Sequence, residues 1–334
     1  MIRRALLAAA AIVVPIASLD VLSRRASRRL LAGPRTLPEE AALGPALDAL
    51  GGEVVRLRSR DGLRLAGRWL AGEGEDAAWV RDPHEAILLL HGWSGSVAPD
   101  LVEYGPFLRR TAGVLGLDFG GHGGSDDGPT TFGLREVEDV AGALAWLGER
   151  GVERVALVGT SLGGITALAA VAVLGDGSLA GVDMDPAAPA HVAAPRRPRI
   201  VAVVADSVAP ELAVAVGSRM PGAGLPEGLR RRVAGRLFSS AARTLGADPR
   251  DTEPIRIIGL LEGVPLLLVA GDADLTVPIA DARRLAAAAP STAEYWEVAG
   301  ADHAGSHRAD PAAYEARITG HLRPAFLDGR SLDL

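Results

Sequence analysis

The sequence predicts an α/β fold: a mostly parallel, doubly wound sheet that opens with an antiparallel hairpin and carries a small helical insertion. Three observations predict it. From about residue 86 onward, short runs rich in Val, Leu, Ile and Ala alternate with longer stretches of helical periodicity. Before them, Val54-Val55-Arg56-Leu57-Arg58 and the alternating run 63–70 flank Asp61-Gly62, a dipeptide suited to a tight hairpin turn. Finally, the apolar run 155–158 breaks at Gly159-Thr160-Ser161-Leu162-Gly163 straight into the Ala-rich stretch 165–174. That reads as a buried strand, a sharp turn and a helix with no spacer.

The remaining elements follow in order. Residues 86–90 form a buried strand ending in His91-Gly92-Trp93-Ser94-Gly95, and 114–118 form another ending in Phe119-Gly120-Gly121-His122-Gly123. Residues 137–147 carry helical periodicity. A strand at 200–205 closes on Asp206-Ser207, and one at 265–270 closes on Gly271-Asp272-Ala273-Asp274. A helix at 279–289, a strand at 293–298, the turn Gly300-Ala301-Asp302-His303 and a helix over about 311–327 complete the chain. The domain therefore spans 53–330, with a lid-like insertion at about 210–262. A Pro-rich stretch at 183–198 fits no element.

The N-terminal residues read differently. Arg3-Arg4 precede an apolar run at 5–19, and Arg24, Arg25, Arg28 and Arg29 follow it. Residues 1–35 are expected to lie outside the fold as a hydrophobic anchor or signal with a basic flank. A membrane anchor through residues 1–22, a secretory signal and an amphipathic surface helix all fit. The first makes the protein membrane-anchored and the second makes it secreted. Arginines on both sides leave orientation open. Residues 36–52, with Pro38, Gly44, Pro45, Gly51 and Gly52, read as a linker.

Composition narrows the chemistry. Of the 334 residues, 48 % are hydrophobic but only 4 % aromatic, so Ala, Val and Leu must fill the core. A net charge of −6 with no basic-aromatic patch gives no case for a nucleic-acid partner. There is no Cys, which excludes a thiol nucleophile, a disulfide and a thiolate metal site. All 35 basic residues are Arg, which excludes a Ser-Lys dyad, a Schiff base and a P-loop lysine. No cofactor and no metal are expected.

In a parallel sheet, ligands bind beyond the carboxyl ends of the strands. Trp93, Asp118, Ser161, Asp206, Asp274 and His303 all cluster at the carboxyl ends of predicted strands. A serine hydroxyl needs a base to act as nucleophile at neutral pH, and His is the side chain suited to that task. His303, in the turn after the last strand, is the best base. His307 is its near rival, whereas His91 and His122 read as structural. Asp274 is preferred to Asp206 as the acid that orients the imidazole. Asp272 reads as a brace of its turn. The backbone N–H groups of Leu162 and Trp93 are the expected oxyanion donors. No other site group is expected to titrate near neutrality.

These motifs resemble the α/β-hydrolase superfamily. The matching pieces are Asp61-Gly62 with Leu65 and Gly67, His91-Gly92, 118–123, 159–163, 271–278 and 300–303. A narrower similarity is to the Bem46-like hydrolases, which are often membrane-anchored. The resemblance covers about 50–325. It implies Ser161 as nucleophile, Asp274 as acid, His303 as base, and Trp93 and Leu162 as oxyanion donors. The expected function is a serine hydrolase cleaving an ester or thioester of a small-molecule or lipid-like acyl substrate. The alternatives are a serine peptidase or acyltransferase, and a catalytically silent binding module on the same fold.

Overall fold

A computed structural model describes residues 23–32, 35–73, 84–93, 95–175, 197–219 and 226–327. The apolar run at 5–19 and most of the Pro-rich stretch at 183–198 lie outside the described residues. Among the described residues, no helix is long and apolar enough to cross a membrane.

Eight strands form one sheet in the order β1-β2-β4-β3-β5-β6-β7-β8. They are β1 (Glu53–Arg58), β2 (Arg64–Leu70), β3 (Glu85–Leu90), β4 (Gly113–Leu117), β5 (Arg154–Thr160), β6 (Arg199–Asp206), β7 (Leu266–Gly271) and β8 (Glu294–Val298). β1 and β2 pair antiparallel, with Glu53 opposite Trp69 and Arg58 opposite Arg64, and β2 is also antiparallel to β4. Every later pairing is parallel. The hairpin turn contains Gly62 at φ +97°, a conformation glycine adopts without strain.

Helices cover both faces, so the central strands are apolar along their interiors rather than alternating with polar residues. On β3, Leu88 and Leu90 face the core lined by α4 (Glu136–Glu149) and α5 (Leu162–Leu174). Ile87 and Leu89 face the core lined by α3 (Ala98–Leu108) and α11 (Pro311–Leu327). Between β6 and β7 lie α6 (Leu212–Arg219), α7 (Glu227–Leu245) and the short α8 (Pro254–Ile257), within the stretch expected as an insertion. α9 (Ile279–Ala288) follows β7 and α10 (Ser306–Ala309) follows β8.

The N-terminal residues depart from expectation. Residues 36–52 contain a 3-10 helix, Pro38–Leu43, and α2, Gly44–Leu50, in place of a linker. Leu47 and Leu50 pack on the core beneath α3. The Pro and Gly residues that suggest a linker here serve as helix punctuation. Pro38 and Pro45 occupy first-turn positions, where the missing N–H is harmless, and Gly51 ends α2 at φ +72°.

Residues 23–31 form a helix, α1, which belongs to the fold although 1–35 was expected to lie outside it. Ser27, Leu30 and Leu31 are buried, and Ser27 Oγ lies 3.3 Å from Ser240 Oγ on α7. The Leu31 carbonyl accepts the N–H of Thr130 at 2.8 Å. A stripe this narrow, among four arginines, gives little hydrophobic periodicity to read.

Candidate active site

The centre of the site is the turn between β5 and α5. Ser161 has φ +51° and ψ −110°, a conformation that non-glycine residues rarely adopt and that neighbouring structure must enforce. Its N–H donates to the Asp206 carbonyl at 2.8 Å, and its own carbonyl starts α5 by accepting from Ile165 N–H at 2.9 Å. Two glycines allow the close approach. A Cβ on Gly159 would lie 2.3 Å from the Gly163 carbonyl carbon, and one on Gly163 would lie 2.0 Å from the Leu90 carbonyl oxygen. The first turn of α5 is thereby set against the end of β3.

His303 reaches this turn from the loop after β8. Its Nε2 is 3.0 Å from Ser161 Oγ, and its Nδ1 is 2.8 Å from Asp274 Oδ2. Asp274 follows β7, and its other oxygen, Oδ1, accepts the N–H groups of Thr276 and Val277 at 2.7 and 2.8 Å. Those bonds fix the carboxylate and leave Oδ2 for the imidazole. Asp272 braces the same region by accepting Gly300 N–H at 2.6 Å, the bracing role expected of it. Ser207 Oγ accepts the N–H of Ala304 at 3.0 Å and so steadies the residue after His303. Ser161 is 8 % exposed and the His303 side chain 16 %, which leaves a narrow opening to solvent.

The rival residues are engaged elsewhere. The Asp206 carboxylate is fully buried and accepts the hydroxyls of Ser207 and Ser306 at 2.9 and 3.0 Å. Burial pushes it up to about 6 against the lowering effect of those hydroxyls. His307 lies between Glu103 and Glu315, stacked on Phe107. Asp100 bears on the site unexpectedly. It accepts the Thr160 hydroxyl at 3.1 Å, one residue from Ser161, and desolvation pushes it up to about 7. Asp100 and Asp206 are thus two site groups with pKa values raised toward neutrality, where none was expected.

On the β3 side, Gly92 comes close enough that a Cβ there would lie 3.9 Å from Ser161 Cβ. His91 secures this segment. Its Nε2 accepts Phe119 N–H at 3.1 Å, so Nδ1 carries the proton and donates to the Gly92 carbonyl at 2.7 Å. Burial, with His122 alongside, lowers its pKa to about 3 and keeps the ring neutral. Trp93 comes next, its ring 5.6 Å from that of Phe132, which in turn meets Phe238 of α7 at 5.5 Å. Leu162 is the first residue of α5. Asp118 joins two loops by accepting Val97 N–H at 2.8 Å and Gly124 N–H at 2.9 Å.

A hydroxyl, an imidazole and a carboxylate in one hydrogen-bonded line, on a strained strand-to-helix turn, form an arrangement that can pass a proton from oxygen to nitrogen. Residues 87–317 match the alpha/beta hydrolase family over more than half of the chain. The chain belongs to that family. No curated protein matches its sequence. Among solved structures, this α/β hydrolase is similar to the esterase Pf2001 of Pyrococcus furiosus. That likeness has 20 % identity, covers 88 % of this chain and 97 % of the other, and has a TM-score of 0.60. A hydrolase from Pseudomonas aeruginosa has 24 % identity, coverage of 81 and 99 %, and a TM-score of 0.52. A thermophilic esterase from Thermogutta terrifontis has 16 % identity, coverage of 82 and 99 %, and a TM-score of 0.52.

Proposed function

We propose that this α/β hydrolase is a serine hydrolase that cleaves a carboxylic ester or thioester through an acyl-enzyme. Ser161 Oγ attacks the carbonyl carbon while His303 Nε2 takes its proton. Asp274, bonded to Nδ1, holds the imidazole in the tautomer that presents Nε2 and stabilises the imidazolium that forms. The developing oxyanion is received by the N–H groups of Trp93 and Leu162. His303 then returns the proton to the leaving oxygen or sulfur, and water repeats the sequence to release the acid. These residues need no cofactor for any step.

The observation that carries this reading is the pair of distances at His303, 3.0 Å to Ser161 and 2.8 Å to Asp274. The esterases among the structural neighbours support an ester as substrate. A peptidase or acyltransferase would share the acyl-enzyme and differ in the leaving group or acceptor. A small-molecule or lipid-like acyl compound is the proposed substrate, with residues 1–22 as a membrane anchor or, alternatively, a secretory signal.

The test is covalent labelling with a fluorophosphonate, paired with turnover of p-nitrophenyl esters of graded acyl length. Labelling and turnover in the wild type, both absent in Ser161→Ala, would support the reading. An unlabelled wild type, as a silent binding module would give, or comparable turnover by the variant would overturn it.

A further inference from the structure

The N-terminal segment places a carboxylate against the loop that precedes α3. Glu40, in the 3-10 helix Pro38–Leu43, accepts Ser96 N–H through Oε1 at 3.1 Å and the Ser96 hydroxyl through Oε2 at 2.5 Å. Oε1 also accepts Leu37 N–H at 3.0 Å, which ties the carboxylate to its own segment. Gly95 makes the approach feasible, because a Cβ there would lie 2.3 Å from Glu40 Oε1. The Gly95 carbonyl accepts Gly123 N–H at 3.3 Å, and the same N–H donates to the Arg35 carbonyl at 2.7 Å. The Arg35 guanidinium also binds the carbonyls of Gly123 and Ser125 and the carboxylate of Asp127.

The chain between β3 and α3 is therefore tied by side chains at three positions, in addition to the Gly95 carbonyl. His91 holds its start through Gly92, Glu40 holds Ser96, and Asp118 holds Val97. Trp93 falls between the first and second ties. Gly92 and Gly95, the latter at φ +85°, have no Cβ to restrict their own backbones. Hydrogen bonds to a charged acceptor are about twice as strong as neutral ones, so the Glu40 tie is a strong one. An oxyanion donor works only when its N–H is already fixed where charge develops.

We propose that Glu40 is a positioning residue for the reaction, acting through Ser96 to fix the backbone N–H of Trp93 toward the oxyanion. This rests on the serine-hydrolase reading above. Its consequence is that the active site is completed by a residue 56 positions upstream of the one it holds, as measured from Glu40 to Ser96.

The experiment compares an activated ester with the matching thionoester in full-length wild type, Glu40→Ala, Glu40→Gln and Ser96→Ala, with melting curves for each. Sulfur accepts backbone hydrogen bonds poorly, so the thionoester reports the machinery without the oxyanion donors. Glu40→Ala should lower kcat on the ester by about 10- to 100-fold, below the loss for outright removal of a donor. KM should stay within about twofold, and thionoester turnover within about threefold, because the lost term is donor geometry rather than substrate binding. Glu40→Gln and Ser96→Ala should fall between wild type and Glu40→Ala, and they carry the test if Glu40→Ala does not fold. An equal loss on both substrates would make the role merely structural and overturn the proposal, as would unchanged kcat. A wild type that fluorophosphonate does not label would overturn the hydrolase reading itself. A labelled wild type whose variants keep the ester-to-thionoester ratio would overturn only the Glu40 proposal.

Discussion

The backbone carbonyl of Asp206 accepts the N–H of Ser161 at 2.8 Å, while its carboxylate turns away to the hydroxyls of Ser207 and Ser306. Asp206 thus supports the strained turn through its main chain, whereas Asp274 meets His303 through its side chain. Asp274→Asn should lower kcat by about 10⁴-fold, the effect known for the equivalent change in a serine protease. Asp206→Asn preserves the main-chain contact and should lose less than about tenfold. Steady-state kinetics on one ester decide between them, and the reverse ranking would move the acid to the end of β6.

Asp100 should give the proposed activity an alkaline limb. With its carboxyl pushed up to about 7, it is neutral below that pH and an anion above it, one hydrogen bond from the residue preceding Ser161. A new negative charge there opposes the developing oxyanion. Between pH 6.5 and 8.5, kcat/KM of the wild type should therefore fall by about threefold relative to Asp100→Asn. Profiles that rise in parallel for both proteins would remove Asp100 from the account.

His91 should shape acid stability. Its folded pKa of about 3 lies below its ordinary value, so this contribution is fully present above pH 6.5. As pH falls below that, the unfolded chain takes up a proton that the folded protein refuses until about pH 3. Stability from this source then drops by about 1.4 kcal/mol per pH unit. Denaturant unfolding of His91→Asn should show a shallower loss between pH 6 and pH 4, by about that amount. An unchanged slope would mean that other groups govern acid unfolding.

Two truncations separate residues 1–22 from the fold. Deleting 1–35 removes Ser27, Leu30, Leu31 and the Arg35 contacts, whereas deleting 1–22 keeps them. Burial of two leucines stabilises by about 3–6 kcal/mol. The shorter chain should unfold at correspondingly lower denaturant, and coincident unfolding curves for the two would contradict the seat assigned to α1.

The parts legible in the sequence were those encoded locally. Asp61-Gly62 marks the hairpin because turn and strand period agree there. The strand-to-helix turn at Ser161 is readable because Gly159 and Gly163 leave room for a backbone contact within five residues. Asp274 and His303 stand out because each sits in the turn just after a predicted strand. The remainder depends on contacts far apart in sequence. Nothing near Glu40 announces Ser96, although the spacing from Leu37 to Glu40 matches half of a capping box. Asp100 owes its shift to packing that no local pattern displays. In α1, three buried positions among four arginines are too few to form a visible stripe. Likewise, the placement of β4 between β2 and β3 is a tertiary outcome.

Ser27 and Ser240 stand 213 positions apart in the chain. A chain is synthesised at about 5–20 residues per second, so α1 waits roughly 10–40 s on the ribosome before its seat on α7 exists. Throughout that interval the Ser27 hydroxyl lacks its α7 partner, and four arginines stand beside it. Completion of α7 supplies that partner, so the moment at which this contact can form is set by the pace of translation.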